Sequence, residues 1–105
     1  MSEITVGFEE SLRGAQVLDI RMASGVAPGL EADWEKALID ASGIVTARKA
    51  GGHIVGLALI YGDFPTIEVN EVLVHRDYRD TTVKQRIVST IIEQTLTHNK
   101  LLDDK

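Results

Sequence analysis

The sequence predicts an α+β fold, an antiparallel β-meander with helices packed on it. Three observations carry this expectation. Apolar residues recur at helical spacing in two stretches before residue 43, and three β-branched runs with short connections follow up to residue 74. From Thr82 onward a third apolar stripe returns to helical spacing. With 105 residues, one domain around a single modest core is expected. Its parts are a strand and two helices over 1–42, the meander over 43–74, a loop and helix over 75–97, and a polar tail over 98–105.

Taken in order, Ile4, Val6 and Phe8 alternate with polar or small residues, as a short strand requires. Ser11 is positioned to cap a helix reaching about Met22, with Leu12, Ala15, Leu18 and Met22 as its inner stripe; Val17 and Ile20 fall off it. The turn chemistry of Ser24 to Gly29 predicts a loop. Leu30, Trp34, Ala37, Leu38 and Ala41 then recur at amphipathic spacing, and Gly43 is expected to end that helix. Ile44 to Arg48 and Ile54 to Tyr61 read as a hairpin around Gly51-Gly52, because paired glycines supply the positive φ of a tight turn. Gly62-Asp63-Phe64-Pro65 makes the next connection, and Thr66 to Val74 is the following strand.

In that strand strict alternation would put Glu71 with Ile67, Val69 and Leu73, and Val72 and Val74 with Glu68 and Asn70. A bulge near Asn70 or Glu71 would restore an apolar inner face; the alternative is a strand buried on both faces with a charge at its end. Val83, Ile87, Val88, Ile91, Ile92, Thr95 and Leu96 give the final helix one apolar face to lay on the sheet.

Composition excludes several classes of function. The net charge of −5 argues against general nucleic-acid binding, which needs a basic footprint. No apolar run is long enough to cross a bilayer, and the opening Met-Ser-Glu-Ile-Thr-Val has no secretory pattern, so a cytoplasmic location is expected. Absence of cysteine rules out thiolate nucleophiles, disulfides and cysteine metal sites. His53, His75 and His98 lack ligand-like spacing, so no metal is expected. Ser11, Ser24, Ser42 and Ser89 have no nucleophile context. Trp34 lies on a helical stripe and reads as core. The densest basic patch is Arg76, Arg79, Lys84 and Arg86, which would suit a phosphate ligand or form a solvated rim offset by Asp77 and Asp80.

The stretch from Val72 to Ile87, VLVHRDYRDTTVKQRI, resembles the acetyl-CoA-binding motif of the GNAT family of N-acetyltransferases. There an apolar strand ends in V-H-P-x-Y-R and leads into an R/Q-x-x-G-x-G/A loop and a helix. Leu73, Val74, His75, Asp77, Tyr78 and Arg79 stand at matching positions, and Ala50 to Ile60 resembles the family's preceding hairpin. The resemblance implies acetyl transfer from acetyl-CoA to an amine. Backbone N–H groups near Leu73 and Val74 would bond the thioester carbonyl, and those of Arg79, Asp80, Thr81, Thr82, Val83 and Lys84 would hold the pyrophosphate. Glu71 or Glu68 would accept the amine proton, Glu71 being nearer the strand end.

Two departures accompany it. Thr82 and Lys84 stand where the family has glycines that let phosphate oxygens approach the backbone. Either the Thr81 and Thr82 hydroxyls and the Lys84 ammonium bond phosphate directly, or the loop has decayed and a threonine caps the helix. The family also continues past this helix with strands that wall the cofactor cleft. The chain stops soon after it, which would leave an exposed strand edge that pairing into a homodimer would cover. The reading left beside the enzyme is a non-catalytic relative, a CoA-ligand sensor or protein-interaction module.

Overall fold

The computed structural model of the protein describes residues 3–63, 66–79 and 81–103, with side chains through Leu96. Its elements are β1 (Ile4–Glu9), α1 (Gly14–Ala23), α2 (Glu31–Asp40), β2 (Gly43–Lys49), β3 (Ile54–Asp63), β4 (Thr66–Val74), a single 3-10 turn (Arg76–Tyr78) and α3 (Val83–Asp103). The four strands form one antiparallel sheet in the order β1-β2-β3-β4. This is the predicted α+β meander, with β1 added beside β2. Gly51 and Gly52 close the β2–β3 hairpin at φ +96° and +93°, the left-handed region their lack of Cβ permits. The predicted connection through Phe64 and Pro65 lies outside the described residues.

Alternation sends two apolar sets to opposite faces of the sheet. Val45, Ala47, Ala58 and Ile60 meet Val83, Ile87 and Ile91 of α3. Ile44, Leu57, Leu59 and Leu73 meet Val17 and Ile20 of α1 and Leu38 of α2. Burying one such aliphatic side chain contributes about 1.5–3 kcal/mol, so these two clusters fix both helix layers. No helix among the described residues is long and apolar enough to cross a membrane.

Three expectations about the helices need correction. First, α1 starts at Gly14 and buries Gly14, Val17 and Ile20, while Met22 is exposed and Ser11 is no cap. The reason is tertiary. Gly14 abuts α2 so closely that a Cβ there would lie 2.6 Å from the Glu31 carbonyl oxygen. Its N–H donates to Glu35 Oε1 at 2.5 Å, so a carboxylate of α2 satisfies the helix start. Second, α2 ends at Asp40 with an extended Ala41 at its cap, and Gly43 instead opens β2. A Cβ on Gly43 would meet Phe8 Cε1 at 3.2 Å. Leu30, expected on the inner stripe, is the exposed residue before the helix.

Third, among the described side chains of α3 only the row Val83, Ile87 and Ile91 is buried; Val88, Ile92 and Leu96 are exposed on its flank. One helix on a flat sheet buries a narrow stripe, and the wider apolar face lacks a second partner among the described residues. Helical backbone continues to Asp103, through most of the stretch expected as a polar tail, since no glycine or proline interrupts it.

Candidate functional site

The bulge predicted near Asn70 or Glu71 is present. Ala58 pairs with Val72 but Ile60 pairs with Val69, so Asn70 and Glu71 together oppose Leu59. The extra residue resets the alternation. Ile67, Val72 and Val74 pack toward the α3 side, and Leu73 packs with the α1 cluster. Asn70 and Glu71 line a small cavity with Val17, Arg21 and Trp34 on the α1 side. A strand without the bulge would have turned Glu71 or the valines to the wrong face.

β4 is an outer strand of the sheet. The His75 N–H donates to the Val55 carbonyl at 2.8 Å, and Leu57 stands opposite Leu73. Alternation in an antiparallel ladder therefore turns the Leu73 N–H toward β3 and the Val72 and Val74 N–H groups toward the open edge. Along this edge runs a groove of about 410 Å³. Ser24 and Val26 of the α1–α2 loop form one wall, residues 71–74 the floor, and Arg79 and Lys84 one end. A larger recess of about 760 Å³ lies between α1, the β2–β3 hairpin tip and the 3-10 turn. Its lining mixes Asp19 and Asp77 with Arg48 and Lys49, and none of the described residues among the predicted site borders it.

The Arg79 and Lys84 end of the groove is the turn into α3. Thr81 Oγ1 donates to the Tyr78 carbonyl at 2.5 Å and accepts from the Val83 N–H at 3.3 Å, so this threonine caps the helix. Thr82 and Lys84 are exposed, and Lys84 reaches the groove. Arg79 Nη2 donates to the Ser24 carbonyl, which ties the turn to the opposite wall. Asp80 lies outside the described residues. Arg86 faces away and donates to the Ile4 carbonyl of β1 at 2.7 Å. His75 Nδ1 accepts from the Asp77 N–H at 3.1 Å, and Tyr78 packs edge-on to its ring against the α3-side core. Both are loop anchors.

At the other end stands Glu71. Its two oxygens accept from Arg21 Nη1 at 3.2 and 3.3 Å, and its side chain stays 48% exposed. Arg21 was not foreseen as part of the site: its partner is fifty positions away in sequence, and a basic residue in a last helical turn reads as a dipole complement. Glu68 shares the sheet face of Glu71 only through the bulge, stands opposite Tyr61 in register, and does not border the groove. Burial pushes the Tyr61 phenol up, against the hydrogen bond from Asn70 and with a smaller contribution from Asp40. Trp34 is half-buried against the α1-side core and donates Nε1–H to the Pro28 carbonyl at 2.8 Å. Among the described residues no group of three His, Cys, Asp or Glu could hold a metal ion.

No family model matches the sequence, and no curated protein matches it. Solved structures do. A probable acetyltransferase of unknown function from meticillin-resistant Staphylococcus aureus superposes with a TM-score of 0.79 at 18% identity, over 90% of this chain and 71% of that one. A GNAT-family acetyltransferase from Streptococcus pneumoniae TIGR4 gives 0.69 at 25% identity, over 83% and 64%. A GNAT-family N-acetyltransferase from Escherichia coli in complex with CoA gives 0.67 at 12% identity, over 90% and 57%. The chain therefore has the fold of GNAT acetyltransferases and spans roughly 57–71% of the length of these three.

Proposed function

We propose that the protein is an acetyl-CoA-dependent N-acetyltransferase of the GNAT type that acts on an amine. The observation that carries this reading is a convergence in one groove: an open strand edge, the first turn of α3 and a carboxylate all border it. In this reading the Val74 N–H bonds the thioester carbonyl and stabilises the oxyanion formed on attack. Leu73 contributes by holding the strand end to β3. The N–H groups of Thr82 and Lys84, with the Lys84 ammonium, take the pyrophosphate at the positive end of α3, beside the Val83 N–H that Thr81 caps. Arg79 and Thr81 shape that turn.

Glu71 accepts the proton the amine loses, with Glu68 as the alternative base. The amine nitrogen bonds the carbonyl carbon, the carbon–sulfur bond breaks, and the CoA thiolate leaves and takes up a proton. The test is thiol release from acetyl-CoA with a panel of primary amines, followed by mass spectrometry of the amine. Acetylated product supports the reading, and no product with any amine at high protein concentration contradicts it.

A second reading is a non-catalytic CoA-ligand sensor or interaction module. It is favoured by the engagement of the Thr81 hydroxyl, the Arg79 guanidinium and the Glu71 carboxylate by other protein groups. CoA binding without turnover would select it. Under either reading we infer a homodimer through the Thr66–Val69 half of the β4 edge, clear of the groove at residues 71–74, with exposed Val69, Val88 and Ile92 as apolar residues for it to cover. Light scattering at the monomer mass up to high concentration would contradict the dimer.

A further inference from the structure

The guanidinium of Arg21 is held from three directions. Its Nε donates to the Ala27 carbonyl at 2.8 Å, Nη1 meets both Glu71 oxygens, and its central carbon lies 4.7 Å over the Trp34 ring. Only 13% of the side chain is exposed, against 48% for Glu71. A planar cation clamped by a ring and a carbonyl has one direction left, and it points that direction at the bulge. None of the three partners belongs to α1. Ala27 belongs to the α1–α2 loop that walls the groove, Trp34 to α2, and Glu71 to the bulge in β4.

Resting on the acetyltransferase reading, we propose that Arg21 is a positioning residue that sets the orientation of the Glu71 carboxylate at the groove. A bulge carboxylate on an outer strand otherwise has free χ angles and open solvent, and holding a long side chain in one rotamer has an entropic cost. Arg21 restricts that freedom with contacts to both oxygens. A carboxylate offers about four lone-pair sites, so two remain for an incoming amine or a water that relays its proton. The Ala27 bond makes the arrangement depend on the loop as well. Arg21 thereby links the wall of the groove to the group at its end.

The test compares Glu71→Gln, Arg21→Met, Arg21→Lys and the double variant Arg21→Met/Glu71→Gln with the wild type. Steady-state acetylation of the best amine is measured with acetyl-CoA varied. Arg21→Met should lower kcat about tenfold or more with KM for acetyl-CoA within about twofold, because the loss falls on the chemical step. Arg21→Lys, which keeps the charge on a slightly shorter chain, should recover part of it and also guards against a variant that does not fold.

Adding Arg21→Met to Glu71→Gln should cost nothing further, since the two residues act as one unit. Full kcat in both Arg21 variants, or multiplicative losses in the double variant, overturns the role given to Arg21 while leaving the enzyme reading intact. A wild type that releases no CoA with any amine overturns both.

Discussion

Gly56 joins the fold to the groove, and adding one methyl there is a sharp test of the packing. It stands between Ala47 and Val74 in register, directly under the first turns of α3. A Cβ at Gly56 would lie 2.7 Å from Ile87 Cδ1, 3.1 Å from Val83 Cγ1 and 3.2 Å from Ala47 Cβ. The Ile87 methyl can turn away, but Val83 is branched and Ala47 is fixed in the sheet. Overpacking of this kind costs about 1–3 kcal/mol. Replacing glycine by alanine returns about 0.4–1 kcal/mol through the unfolded chain.

The net expectation for Gly56→Ala is a loss of about 1–2 kcal/mol, or about 5–10 °C in Tm for a domain of this size. Gly7→Ala is the matched control, because a Cβ at Gly7 meets nothing within 4 Å. It should hold Tm or raise it slightly. Because the displaced residues are the first turns of α3, Gly56→Ala should also weaken CoA binding, whereas Gly7→Ala should not. Thermal unfolding by circular dichroism and a CoA titration read both. Equal Tm in the two variants would refute the contact described between β3 and α3.

Two further outcomes are expected. Lys84→Gly should weaken CoA binding about tenfold at low salt, equivalent to about 1.4 kcal/mol, with the difference shrinking as salt rises; tighter binding would instead mark a decayed loop obstructed by this side chain. The Glu9 carboxylate accepts from Arg48 Nε at 2.6 Å and Nη2 at 2.8 Å, which holds its pKa below the usual carboxylate value, helped by Thr46 and opposed by partial burial. A lowered folded-state pKa contributes stability above the unfolded value and loses it as pH falls through the folded one. The Tm advantage of wild type over Glu9→Gln should therefore be constant near neutrality and vanish progressively below about pH 4. A difference that does not change with pH would contradict the pairing.

The strands were legible because their signals are local. Thr66 to Val74 matches β4 at both ends, and the broken alternation around Asn70 and Glu71 left a bulge or a strand buried on both faces, of which the bulge is what formed. Paired glycines located the hairpin, with positive φ at both. The inner face of α1 was not legible. It is set by the approach of Gly14 to Glu31 and Glu35, and nothing within the helix encodes that contact.

The same holds for the site. Glu71 and the turn through Thr81 and Lys84 could be named from the resemblance and the strand-to-helix pattern. That Arg21 grips Glu71, and that Arg79 turns its guanidinium to Ser24, depends on a loop fold joining residues some fifty positions apart. A basic residue closing α1 beside a carboxylate at a strand bulge is the signal that would have suggested the pair.

Calorimetric titration of the purified protein with acetyl-CoA, and separately with CoA, tests the central claim most directly. The account predicts micromolar binding of both, on the order of −8 kcal/mol, with affinity falling as salt rises. No heat and no thermal shift at millimolar ligand would contradict it, leaving an acetyltransferase fold without the cosubstrate that the groove along β4 is proposed to take.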